Sequence, residues 1–178
     1  DLKEQYGGKI NLCIDHHGTN DEYSEYLLLN ADAAAACEVI LKVIKSMNVE
    51  IDRGIADCLF TGITTDTGCF RYSSTTSNTF RAAAELIDYG ANNGAINRLM
   101  FETKTKTYAA LERLCIEGMQ FFENEKICVI TVTQDMYERT GSGEFESEGI
   151  APLTRQIEGV EIGLTIREKA DKTCKCSI

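Results

Sequence analysis

Apolar residues recur at helical spacing through most of the first two thirds of the chain, and alternate or cluster in short β-branched runs at its start and in its last third. Residues 9–14, KINLCI, alternate and predict a short strand that delivers Asp15, His16 and His17 at its carboxyl end. Ala36, Val39, Ile40, Val43, Ile44 and Met47 form the stripe of a first helix, with Asp32 as the expected N-cap. A second helix is predicted from about Asp52, with Ala56, Leu59, Phe60 and Ile63 inward. It is expected to run into a polar loop over residues 61–76, TGITTDTGCFRYSSTT, the type of segment that carries function. A third helix, Thr76 to Tyr89, is expected to bury Phe80, Ala83, Ala84 and Ile87 and to stop at Gly90.

Helical spacing continues from Asn92 to Gly118 through Ile96, Met100, Tyr108, Leu111 and Cys115. The texture then changes: residues 126–133, KICVITVT, read as a strand. Residues 159–168, GVEIGLTIRE, read as a second one, with Val160, Ile162, Leu164 and Ile166 on one face. Between them a helix capped near Ser147 is expected to turn Ile150, Leu153 and Ile157 inward, with Pro152 in its first turns. The pattern predicts an α/β fold: a partial parallel-sheet domain over 1–101, a connecting helix over 102–118, and a smaller α+β domain over 119–178. Ligands in such sheets collect beyond the carboxyl ends of strands, and a cleft between domains is the expected site.

Composition narrows the function classes. The 178 residues are 43% hydrophobic, enough for a folded protein, and no apolar run approaches the roughly 18 residues of a bilayer span. With no basic-then-apolar leader at its start, the chain is expected to be soluble and cytoplasmic. A net charge of −10 excludes a broad basic surface for long duplex DNA, while leaving room for a short anionic substrate held locally. The eight cysteines are scattered through apolar runs and are expected to be small buried hydrophobes. Cys174 and Cys176 are the one close pair, on one face of a strand. Arg155, Arg167, Lys169, Lys172 and Lys175 are expected on solvated surfaces, the last four also being within reach of a phosphate.

The only two histidines are adjacent, in IDHHGTN, residues 14–20. An acid followed by two imidazoles offers a carboxylate, a cation ligand, and a second ring to hydrogen-bond a phosphate or move a proton. Asp66, 51 positions after Asp15, lies among threonines and glycine; alone it reads as a turn former.

Together, IDHHGTN and TGITTDTGCFRYSSTT resemble two motifs of the DHH family phosphoesterases, with the expected helical spacer between them. The nearest branch is the cytosolic bifunctional oligoribonuclease and 3′-phosphoadenosine 5′-phosphate phosphatase group, which carries a DHH-associated second domain. The resemblance implies a hydrolase with two divalent ions, most often Mn2+, with Mg2+ as the alternative, acting on short oligonucleotides or 3′-phosphoadenosine 5′-phosphate. It makes His16 and Asp66 ligands of one ion and Asp15 the carboxylate that orients the histidines within the catalytic group. It makes His17 the catalytic residue facing the phosphate, Arg71 a substrate contact, and Asn20 a local support. Relatives with these motifs also include inorganic pyrophosphatases and cyclic dinucleotide phosphodiesterases, and a third reading is a non-catalytic nucleotide-binding or interaction module.

The family also uses an H-x-x-x-D-x-D stretch and a further aspartate ahead of the motif, and a GGGH-like motif at the far end of its second domain; none of these is in the sequence. The chain, which starts without methionine, is therefore expected to be a fragment that binds metal weakly and is inactive alone. An uncovered strand edge beside KINLCI is expected, with a homodimer as one outcome.

Overall fold

The computed structural model describes residues 5–178, and the fold is α/β. The chain divides into two compact units, residues 1–103 and 104–178.

In the first unit, β1 (Leu12–Asp15) pairs in parallel with β2 (Tyr26–Leu29), Asp15 opposite Leu29. The expected strand begins three residues late because Gly7–Lys9 form a short 3-10 turn. Among the described residues this sheet has only these two strands, and Leu12 and Tyr26 are largely exposed. The link between them, residues 16–25, carries both histidines and Asn20.

Helices α1 (Ala36–Ser46), α2 (Arg53–Asp66) and α3 (Ser77–Asp88) follow. Their core joins Leu41, Leu59, Phe60, Ile63 and Leu86 to the small residues Ala35, Ala56 and Ala83. Gly62 permits the approach of α1 to α2: a Cβ there would lie 2.2 Å from Cys37 Sγ.

Four expectations for this unit are corrected. Asp32 does not cap α1; the N-cap is Ala35, which has no side chain for the purpose, and Met47 at the far end is exposed. Residues 61–66 are helical rather than loop. The hydroxyls of Thr61, Thr64, Thr65 and Thr67 donate back to the carbonyls of Asp57, Thr61, Thr61 and Ile63, so a polar stretch is buried without unpaired groups. The buried face of α3 is Thr79, Ala83 and Leu86, about one position out of phase with the predicted Phe80, Ala84 and Ile87. Phe80 instead stacks on Phe70, ring centroids 5.2 Å apart. Finally, the helical run after Asn92 is broken. Helix α4 (Asn93–Asn97) passes into a π-helical turn, Arg98–Glu102, and α5 (Lys106–Glu117) starts afresh with Thr105 as its cap.

In the second unit a four-stranded sheet has the order β3 (Gln120–Phe122), β4 (Ile127–Val132), β5 (Ile162–Glu168) and β6 (Cys174–Ser177). β4 and β5 are parallel, joined through α6 (Gln134–Thr140) and a 3-10 segment, Glu144–Gln156; the outer pairs are antiparallel. Leu111, Cys115, Ile130, Val132, Tyr137 and Ile150 form the core. Pro152 lies within the 3-10 segment, which starts at Glu144 rather than near Ser147, and Ile157 is exposed.

β5 is turned over relative to expectation: Gly163, Thr165 and Arg167 are covered, whereas Ile162 is 48% exposed. The reason is steric. A Cβ at residue 163 would stand 2.1 Å from Thr154 Oγ1, so the 3-10 segment seats on the one residue of the strand that lacks a side chain. That contact fixes which face is covered, and the strand period of two does the rest.

All eight cysteines are free. Cys13, Cys115 and Cys128 are buried, but Cys58, Cys174 and Cys176 are exposed, contrary to the general expectation of burial. Burial pushes the Cys115 thiol up to about 11.

Candidate functional site

The site residues collect in the first unit, at the carboxyl ends of β1 and α2. Asp15 closes β1, and its Oδ1 accepts from the His16 amide at 2.7 Å, the His17 amide at 3.1 Å and His17 Nδ1 at 2.7 Å. Its Oδ2 accepts from Asn20 Nδ2 at 2.6 Å. The Asn20 bond first, then those from His17 and His16, holds the Asp15 carboxyl well below the usual range, so it is an acceptor only. His17 must then carry a proton on Nδ1. Its ring is 70% exposed, with Nε2 as the nitrogen left for another partner.

His16 is held differently. Its Nδ1 lies 3.1 Å from the carbonyl oxygen of Ala33. A carbonyl can only accept, so Nδ1 carries a proton, and in the neutral ring Nε2 then has the lone pair. That nitrogen lies 3.6 Å from Asp66 Oδ2. The spacing is too long for a good hydrogen bond.

Asp66 is the last residue of α2, where the partial negative charge of the helix end adds to its own. Burial first, and then the Asp66 charge, raises the Cys37 thiol.

Behind Asp66 the backbone reverses hand. Gly68, Cys69 and Phe70 are all left-handed, with φ of 55°, 58° and 63°. A Cβ on Gly68 would meet the Tyr72 ring at 2.4 Å. The turn is tied back by Gly68 N to Thr65 O at 3.1 Å and Cys69 N to Thr64 O at 2.7 Å. It sets Phe70 against Phe60 and Phe80. Strained backbone beside a candidate site needs such over-determination. Arg71 is exposed, and its Nε donates to the Gly68 carbonyl at 2.6 Å.

The structure therefore brings Asp15, His16, His17, Asn20 and Asp66 together. His16 and Asp66 supply one nitrogen and one oxygen donor, a set that suits a divalent ion of intermediate hardness. Among the described residues no group of three or more His, Cys, Asp or Glu converges as a metal site, so the pair makes a partial cradle. Sequence reasoning missed the Ala33 carbonyl, which carries no side-chain signal. It also missed Glu38, whose only signal was an acid in the first turn of a helix that lacks a side-chain cap.

The basic residues of the second unit form no comparable cradle. Arg167 is buried, with Nη2 donating to Ser177 Oγ at 2.8 Å, and Lys175 lies 4.0 Å from Glu148. The pocket they line with Lys169 also contains Glu144, Glu148 and Glu168, so the formal charges cancel.

Comparisons with known proteins cover nearly the whole chain. A bifunctional oligoribonuclease and PAP phosphatase NrnA of Thermus thermophilus is 31% identical over 161 residues, covering 90% of this chain and 48% of its own length. The protein of the same name in Bacillus subtilis is 25% identical over 175 residues, covering 97% of this chain and 55% of its own. A solved exopolyphosphatase-related protein from Bacteroides fragilis superposes with a TM-score of 0.86 at 22% identity, over 94% of this chain and 49% of that one, and shows the fold. No family model matches. The chain spans about half the length of the curated relatives it matches. With Asp15, His16 and His17 at a strand end and Asp66 brought beside them, the resemblance to the DHH family phosphoesterases is joined by relatives of one name, bifunctional oligoribonuclease and PAP phosphatase NrnA, aligned over nearly all of the chain's residues.

Proposed function

We propose that these residues form part of a metal-dependent phosphoesterase acting on short oligonucleotides or 3′-phosphoadenosine 5′-phosphate, with Mn2+ as the preferred ion. The observation that carries the reading is His16 Nε2 standing 3.6 Å from Asp66 Oδ2, the ring being oriented toward that corner by the Nδ1 bond to Ala33. A divalent ion ligated by Nε2 of the neutral ring and by the carboxylate would be held by both. The ions would polarise the phosphoryl group and lower the pKa of a bound water.

The chain's own residues supply the rest. Asp15 holds the backbone of both histidines and the His17 ring. His17, with Nδ1 engaged, could donate from Nε2 to a phosphate oxygen, or hand that proton to the leaving oxygen, when the ring carries a second proton there. Asn20 keeps Asp15 ionised and aimed. The relatives' names, with their oligoribonuclease and PAP phosphatase activities, support this choice of substrate.

Two donors leave most of an ion's coordination to water, so this chain alone is expected to bind Mn2+ weakly and to hydrolyse little. Paramagnetic broadening by added Mn2+ tests the site: the His16 and Asp66 signals should broaden first, and Asp66→Asn should abolish the effect. Broadening centred elsewhere on the chain would overturn the assignment. A full-length relative assayed in parallel should cleave 3′-phosphoadenosine 5′-phosphate and dinucleotides in preference to pyrophosphate or cyclic dinucleotides.

A further inference from the structure

Three of the helices in the first unit start on a side-chain cap: Asp52 for α2, Thr76 for α3 and Asn92 for α4. Helix α1 has none, since Ala35 stands at its N-cap. Instead Glu38, only 4% exposed, reaches back within the first turn, and its Oε1 accepts from the Ala34 amide at 3.1 Å. The same oxygen accepts from Thr79 Oγ1 at 2.8 Å, at the start of α3. Thr79 in turn is locked by the capping box with Thr76. A buried carboxylate needs donors, and here one comes from the main chain ahead of α1 and the other from a side-chain hydroxyl at the start of α3. The segment it grips, Ala33 to Ala35, is buried at 7%, 4% and 0% exposure and consists of alanines without polar side chains. Ala33 is the residue whose carbonyl meets His16 Nδ1.

We infer that Glu38 is a positioning residue for His16: by anchoring the Ala34 amide to the start of α3 it aims the Ala33 carbonyl at Nδ1, and so fixes the tautomer that turns a bare Nε2 toward Asp66. This deepens the metal-site reading, but the state of the ring is a property of the metal-free chain and can be read without any ion. A free imidazole favours the proton on Nε2, so the carbonyl must hold the ring in its less favoured form. An outer partner of a ligating histidine commonly sets the affinity of the site by this route.

The two-histidine composition makes the test direct, because 15N-histidine labelling gives signals from only two rings, separable with His17→Gln. In the wild-type chain, at a pH well above the ordinary histidine range, His16 should show a protonated Nδ1 and a pyridine-like Nε2. Glu38→Leu should move it toward the Nε2-protonated form and weaken Mn2+ binding by about 10–100-fold. Glu38→Gln, which keeps an acceptor oxygen at the same place, should retain the wild-type ring. Thr79→Val, which removes one of the two anchors, should shift the same signals part of the way, and it serves if Glu38→Leu does not fold. An Nε2-protonated His16 in the wild type, or an unchanged tautomer in either folded variant, overturns the inference. An intact Glu38 dependence with no Mn2+ effect at His16 or Asp66 would instead sink the metal-site reading alone.

Discussion

β1 and β5 each pair in parallel with a neighbour, and each brings charge to its carboxyl-terminal end, yet they treat that charge in opposite ways. Asp15 ends β1 with four donors on its two oxygens. On β5, Arg167 is buried with Nε unpartnered, and Thr165 two residues earlier is buried with an unpartnered hydroxyl. The first arrangement is built around its charge. The second follows from packing, since the 3-10 segment must seat on Gly163 and the strand period then carries Thr165 and Arg167 inward with it. Saturation of its polar group, more than burial, separates the end of β1 from that of β5.

The largest effect should come from removing the acid of β1. Asp15→Ala leaves both histidines without their common acceptor, and Mn2+ affinity measured by electron paramagnetic resonance should fall about 10–100-fold. Unchanged affinity would break the comparison at its stronger end. On β5 the matching change is Gly163→Ala. Its methyl would be driven into Thr154, and urea denaturation should record a loss of about 1–3 kcal/mol. Thr165→Val, which removes a hydroxyl that has no partner, should be neutral or stabilise by up to about 1 kcal/mol in the same assay. A clear loss there would mean that the hydroxyl is satisfied after all.

The smallest effect is in the acid limb. The folded-state pKa of Asp15 lies below its unfolded value of about 3.9, so its stabilising contribution is present above that value and is lost as pH falls through the lower folded one. Acid denaturation of Asp15→Asn should therefore be shallower below about pH 4 than that of the wild type.

The elements that carry the site were legible because their signals are local. Asp52 caps α2 by accepting from the Ile55 amide, and Ala56, Leu59, Phe60 and Ile63 are all buried, as their spacing requires. The strand ending in Asp15 follows from its alternation. What failed to read out depends on contacts made across the chain. Hydropathy gives β5 an apolar face, but Gly163 and Thr154 decide which face is covered. The threonines before Asp66 look like loop until their hydroxyls are seen to bond backward along the helix. The face of α3 is turned because Thr79 goes inward to meet Glu38 and Phe80 is drawn out to Phe70. The Ala33 carbonyl leaves no trace in a sequence.

The three left-handed residues after Thr67 also limit how this region can vary. A reversal of hand that places Phe70 between Phe60 and Phe80 works for one chain length only. A single insertion or deletion between Thr67 and Tyr72 would swing that ring out of its slot and release the helix end that presents Asp66. Tolerated differences in loop length among working versions of this unit should therefore fall after Tyr72, where the chain approaches α3, and never inside the turn.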